Sequence, residues 1–295
     1  MSPAIDPITF TVIWNSIVSI AEELGTTMRN TAFSEAVREG DDFSTAVFDC
    51  QGRMIAQGNF SPGHLGSMPF VIRHVTDAFP PESLRPGDAI MLNDSWMGSG
   101  HFPDIFQVMP VFDAAGRELL GYVAASAHQM DVGGAAPGSQ KVHGVTESFQ
   151  EGLRILPIRF CRAGEVDADI LRLILGNTRV PDKVRGDLMA QHTANLTAAK
   201  RFRDLFAAQG RATVEAAFDQ ILDRDWGANE LVPEHTHPFD ARALVVRGEM
   251  WLEHGGQSRH LQPGDGFELA ALTPHAERYG PHGATYRVAR RQQPG

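Results

Sequence analysis

The sequence predicts two regions of different build, an α+β region over residues 1–224 and a small all-β domain over residues 225–295. Three observations carry this reading. The chain opens on an apolar stripe of helical period and then runs through strand-like segments divided by glycine-bearing turns. From about Asp167 the helical period returns and persists to Arg224. Beyond Arg224 the texture becomes short β runs rich in glycine, proline and histidine.

Each element has its own signal. Asp6 followed by Pro7 is a helix start, with a capping carboxylate and then a proline where its missing N–H costs nothing. Ile8, Val12, Ile17, Ile20, Leu24 and Met28 continue the stripe to about Thr31. STAVFD and RMIAQ flank Cys50-Gln51-Gly52 as the arms of a hairpin, and AIMLND, DIFQVMPVFD and ELLGYVAASAH follow as strands. The helices expected next are ADILRLILGN, Pro181 to Ala208, and RATVEAAFDQILDR. A run of strands followed by a run of helices indicates an α+β arrangement. About six strand-like runs lie between Leu231 and Val288, few for a barrel.

Composition narrows the partners. A net charge of -10, with no cluster of lysine and arginine, argues against nucleic acid or an anionic membrane. The start MSPAIDPITFTVIWN has neither a basic nor an apolar leader pattern, and no apolar run reaches membrane-spanning length, so a cytoplasmic protein is expected. Cys50 and Cys161 are too few for a disulfide framework and are expected to be reduced and structural. Small molecules and protein subunits are the expected partners. Apolar helix faces such as that of 182–208, where left uncovered, favour an oligomer or instability.

Two clusters carry chemistry. In GSGHFPDIFQVMP, His101 and Asp104 flank Pro103 in a turn just before a strand, as half of a metal site would. Further on, His235 and His237 lie two apart, so on a strand their imidazoles leave the same face, and His275 follows the turn LQPGDG. Three such histidines can converge on a metal. With Gly248 after H-x-H, and Pro263-Gly264-Asp265 before His275, residues 228–290 resemble the cupin family, a small double-stranded β-helix or jelly roll. The cupin pattern has a glutamate ligand where this chain has Ala241, which leaves Asp240, Glu277 or water as the fourth ligand. Glu277 is favoured because it shares a strand face with His275. A metal-free barrel that binds a sugar or an acid is the alternative. His254, His260 and His282 read as solvated residues of turns and strand ends.

The N-terminal region is similar to the hydantoinase B/5-oxoprolinase family, which includes the catalytic subunits of acetone and acetophenone carboxylases. The likeness rests on DDFSTAVFD, HLGSMP, MLNDSWMGSGHFPDIFQVMPVF, AHQMDVGGAAPGS, TESFQEGLRILPI and RGDLMAQ, in that order from about Asp6 to Asp223. It implies ATP-dependent chemistry on a cyclic amide of the hydantoin or 5-oxoproline type, in complex with a hydantoinase A-like subunit that binds the nucleotide. A ketone carboxylase subunit is the alternative substrate class. The absence of G-x-x-x-x-G-K-[ST] agrees with ATP being bound by the partner. The resemblance also implies a divalent metal, manganese, zinc or iron, held by His101, Asp104 and His128 with Asp131 as a further candidate, and places His64 and Glu151 in the pocket as catalytic candidates. His74, His143 and His192 read as helix-face or loop residues. Family members are much longer than this region, so the chain is expected to be a truncated subunit joined to a cupin. A degenerate subunit whose cupin is the working metal- or metabolite-binding module is the reading from a different class.

Overall fold

A computed structural model describes residues 5–292, apart from 62, 63, 65, 140, 142 and 227. The chain divides into two compact units, Asp6–Val214 and a second that begins at Glu215, so the division falls inside the helix Arg211–Leu222, ahead of the texture change at Arg224.

In the first unit, α1 (Pro7–Thr31) starts as its cap dictates: Asp6 accepts from the N–H of Ile8 at 3.1 Å and of Thr9 at 3.0 Å. Its buried stripe runs through Ile13, Ile17, Ile20, Leu24 and Met28. Ile8 and Val12 depart from the expected stripe, being 78% and 45% exposed. At 100° per residue both lie well away from Ile13, where the 4-3-4-4 spacing that meets the core begins. A short helix α2 (Glu35–Arg38) precedes the hairpin of β1 (Phe43–Asp49) and β2 (Met54–Gln57). Asp49 closes that hairpin by accepting from the N–H of Gln51 at 3.0 Å and of Arg53 at 2.8 Å.

After α3 (Met68–Ala78) come β3 (Ala89–Leu92), β4 (Asp104–Phe112), β5 (Leu119–His128), β6 (Ile158–Arg162) and β7 (Glu165–Val166), then α4 (Ala168–Gly176), α5 (Pro181–Gln209) and α6 (Arg211–Leu222). The strands form one sheet in the order β2-β1-β5-β4-β3-β6-β7, antiparallel throughout. On one face Ala46, Phe48, Phe106, Val108, Tyr122 and Ala124 pack with Val71, Ile72 and Val75 of α3. On the other, α5 lies over β4 and β5 and α1 over β1. With both faces covered, β1, β3 and β4 are buried at every position, which is why these runs lack a polar alternation in the sequence. Each large apolar side chain so buried contributes about 1.5–3 kcal/mol. The α5 face carries polar ties as well: Gln191 donates to the carbonyls of Ile105 at 3.0 Å and Ala125 at 2.7 Å.

The second unit is a six-stranded antiparallel sheet of β8 (Asp223–Trp226), β9 (Leu231–His235), β10 (Phe239–His254), β11 (Gln257–Leu261), β12 (Gly266–Leu269) and β13 (His275–Gln292). The two long strands pair with each other, and each carries two short ones, β12 and β11 on β10, β9 and β8 on β13. Their pairing is irregular between Val245 and Arg247 and between Gly248 and Met250. The bulge changes the inward parity, from Ala241, Ala243 and Val245 to Met250 and Leu252 on β10, so one face stays apolar around the bend. Gly248 makes the bend possible: its φ is 70°, and a Cβ there would stand 2.1 Å from the carbonyl oxygen of Gly283. Among the described residues no helix is long and apolar enough to cross a membrane.

Candidate functional site

The first cluster sits where β4 begins and β5 ends. Antiparallel register places Asp104 opposite His128, and the turn before β4 brings in His101, so these three offer ligand atoms within 4.8 Å of one another. Asp104 is buried, and its oxygens are shared out: His128 Nδ1 donates to Oδ1 at 3.0 Å, while Ser99 Oγ at 2.5 Å and His64 Nε2 at 3.1 Å approach Oδ2. The His101 and His128 rings stack with centroids 5.2 Å apart. Burial works against ionisation of Asp104, yet hydrogen bonds from His128, His64 and Ser99 outweigh it and hold the carboxyl well below the usual carboxylate range. Burial likewise opposes a charge on His128, but the Asp104 hydrogen bond and the charges of Asp104 and Asp42 raise its pKa.

Surrounding groups fix this cluster. Glu151 reaches His101 Nδ1 with Oε1 at 3.4 Å and accepts from the N–H of Phe102 with Oε2 at 2.9 Å, so it steadies two consecutive residues of the turn. Asn93 at the end of β3 ties the same turn to the Glu151 loop: it donates to the carbonyls of Phe102 at 2.6 Å and Leu153 at 2.9 Å and accepts from the N–H of Ile155 at 2.6 Å. With His101 Nδ1 facing Glu151 and His128 Nδ1 facing Asp104, the Nε2 atoms of both rings make no hydrogen bond among the described residues. Two imidazoles with a free nitrogen and a buried ionised carboxylate are a donor set that fits a divalent cation.

Asp131 is not brought into this group. It is fully buried and occupied elsewhere, pairing with Arg179 Nη1 at 2.8 Å and accepting from the N–H of Arg179 at 2.5 Å and of Gly133 at 3.1 Å. His74 lies half-buried on α3 and His143 is exposed, whereas His192 is a buried residue of α5 against Phe160, with ring centroids 6.1 Å apart. Both cysteines are free, and Cys161 is buried with its thiol donating to the carbonyl of Gly87 at 3.2 Å.

The second cluster belongs to the β unit. His235, His237 and His275 offer ligand atoms within 4.8 Å of one another, and His235 and His275 are cross-strand partners. The two-apart strand placement of His237 is corrected: β9 ends at His235, and His237 stands in the following segment, ahead of Pro238, which has no N–H to continue a ladder. It still reaches the group, with ring centroids 4.7 Å from His235 and 5.0 Å from His275. His235 Nδ1 donates to the carbonyl of Pro233 and His275 Nδ1 to that of Thr273, both at 2.9 Å, which leaves each Nε2 as a lone-pair donor. The three line a cavity of about 70 Å³ together with Ala241, Glu277 and apolar side chains of Phe239, Phe267 and Leu269. Of the remaining histidines of this unit, all exposed, His260 lies within β11, where it stacks on Trp251 and meets Glu249 Oε2 at 2.8 Å.

The sequence profile described as hydantoinase B/oxoprolinase matches residues 6–230. The chain belongs to that family. An uncharacterized protein of Methanocaldococcus jannaschii is 38% identical over 220 residues, covering 74% of this chain and 38% of the relative. The B-type component of a putative D-/L-hydantoinase from a Pseudomonas species is 30% identical over 222 residues, again 74% of this chain and 37% of the relative. The crystal structure of the ATP-dependent caprolactamase from Pseudomonas jessenii aligns with a TM-score of 0.64 at 26% identity, covering 79% of this chain and 41% of that one. The chain thus spans about two fifths of the length of these relatives.

Within the hydantoinase B fold the structure adds residues that the sequence reading missed. Asp42 stands 3.8 Å from His64 Nε2 and 3.9 Å from His128 Nδ1, and its carbonyl accepts from the N–H of His128 at 3.0 Å. Its signal is present in the motif DDFSTAVFD, but only the pairing of β1 with β5 carries it to His128. Ser99 and Asn93 have no spacing rule that would single them out.

Proposed function

We propose that this chain is the metal-dependent subunit of an ATP-dependent hydrolase of cyclic amides, with its divalent cation at His101, Asp104 and His128. The observation that carries the reading is the cluster itself: two imidazoles and a buried carboxylate converge at one strand end, each oriented by another side chain. Held there, a divalent cation would supply Lewis-acid polarisation of a ring carbonyl or a more acidic bound water. His64 and Asp42 keep Asp104 and His128 in place, and Glu151 fixes the His101 ring. The names of the hydantoinase and caprolactamase relatives support a cyclic amide as substrate, and the naming of the first as one subunit of its enzyme supports a second subunit as partner. ATP is assigned to that hydantoinase A-like partner. The β unit we read as a small cupin with a second cation at His235, His237 and His275, supported by the two free Nε2 atoms on one cavity.

The test is ATP turnover by this chain mixed with a hydantoinase A-like subunit, with and without a hydantoin or lactam. Turnover stimulated by the cyclic amide is expected, and His101→Ala should abolish the stimulation and remove about one bound metal ion per chain. Stimulation that survives His101→Ala, with unchanged metal content, would overturn the reading.

A further inference from the structure

The cavity of the β unit holds one carboxylate whose position asks for a cation. Glu277 is 4% exposed and His275 1%. The Glu277 Oε2 atom accepts a hydrogen bond from the Tyr279 hydroxyl, while Oε1 faces His275 Nε2 at 3.9 Å. That nitrogen is buried without a hydrogen-bond partner, and because Nδ1 donates to Thr273 it presents a lone pair. Two buried electron-pair donors thus face each other at a separation too long for a hydrogen bond. It lies within the span of about 4 Å open to two ligands each about 2.1 Å from one zinc ion. A bare acceptor pair of this kind is costly in a low-dielectric site unless positive charge lies between its members.

The other source of a carboxylate is already used. Asp240 Oδ1 accepts from the N–H of Ala271 at 2.7 Å, and Asp240 does not line the cavity. Its neighbour Ala241 does line it, as Glu277 does, and brings no donor atom. Parity on β13 puts His275, Glu277 and Tyr279 on one inward face, so the acid and the residue that orients it come from the strand that carries the histidine.

We infer that Glu277 is the carboxylate ligand of the cation held by His235, His237 and His275, supplied from β13 in place of an acid at Ala241, with Tyr279 as its positioning residue. This rests on the reading of the three histidines as a cation site. The test measures zinc bound by the full chain, stripped with a chelator and re-equilibrated by dialysis. His235→Ala defines the zinc held by the histidine group, about one ion per chain, and if it removes none the underlying reading fails. Where it does remove zinc, Glu277→Gln, which keeps the shape, should weaken that portion about a hundredfold and Tyr279→Phe about tenfold. Adding Ala241→Glu to Glu277→Gln should restore it to within a few-fold. Cobalt(II) absorption, read only on soluble, folded protein, should change in Glu277→Gln through loss of an oxygen ligand. Unchanged zinc affinity and an unchanged cobalt spectrum in Glu277→Gln would overturn the role of Glu277 while leaving the histidine site standing.

Discussion

Asp131 separates a ligand from a structural acid at the level of one residue. Its side-chain hydrogen bonds go to Gly133, Thr178 and Arg179, and none goes to His101 or His128. Asp131→Asn, which removes the charge of a buried acceptor that ties Gly133 to Arg179, should lower stability by about 2 kcal/mol in urea unfolding and leave metal content per folded chain unchanged. Asp104→Asn should do the reverse where metal is concerned, removing the bound ion measured by elemental analysis. His192 gives a pH signature of its own. Burial pushes its pKa below the usual histidine value, so the unfolded chain takes up a proton that the folded one resists. The contribution to stability is therefore complete above about pH 6.5 and is lost as pH falls below it, by at most about 1.4 kcal/mol per pH unit. Urea unfolding of His192→Gln between pH 7 and 5 should show a shallower decline than the parent.

At the scale of elements, legibility depends on whether the signal is local. The opening helix is readable because Asp6 and Pro7 act within one turn, and the β1–β2 hairpin because its turn residues are contiguous. Helix α3 escapes a sequence reading, although Met68, Val71, Ile72 and Val75 keep a helical period, because its start overlaps the motif HLGSMP and its apolar stripe is short. The strands β6 and β7 escape it too. They are short, and β6 pairs with β3 across a long loop, which no local pattern encodes. The same limit governs the site. His101 and Asp104 are visible as neighbours in sequence, whereas His64 meets Asp104, and Asp42 meets His128, only through tertiary packing. The bend in β10 and β13 offers an element-scale test. Gly248→Ala would hold an L side chain at φ 70° with its Cβ against the Gly283 carbonyl. A loss of about 1–3 kcal/mol is expected in thermal melts, together with weaker zinc binding by the histidine group.

For the whole molecule, the decisive feature is that each unit has its own apolar core and its own candidate cation cluster. One core gathers Phe48, Phe106 and Tyr122 around the seven-stranded sheet, and the other gathers Met250, Phe267 and Tyr279 in the six-stranded one. Units with separate cores are expected to unfold in separate steps. A cation bound only by the native form of a unit stabilises that unit alone, by about 2.7 kcal/mol when its free concentration is a hundred times the dissociation constant. Calorimetry of the full chain should then resolve two transitions, both moved upward when a divalent metal replaces chelator. His101→Ala should cancel the metal-dependent shift of the transition belonging to the seven-stranded unit and leave the other, and His235→Ala should do the converse. A single transition whose metal response disappears with either substitution would mean that the two clusters act as one site, and would remove the basis for assigning hydrolysis to the first and a separate binding role to the second.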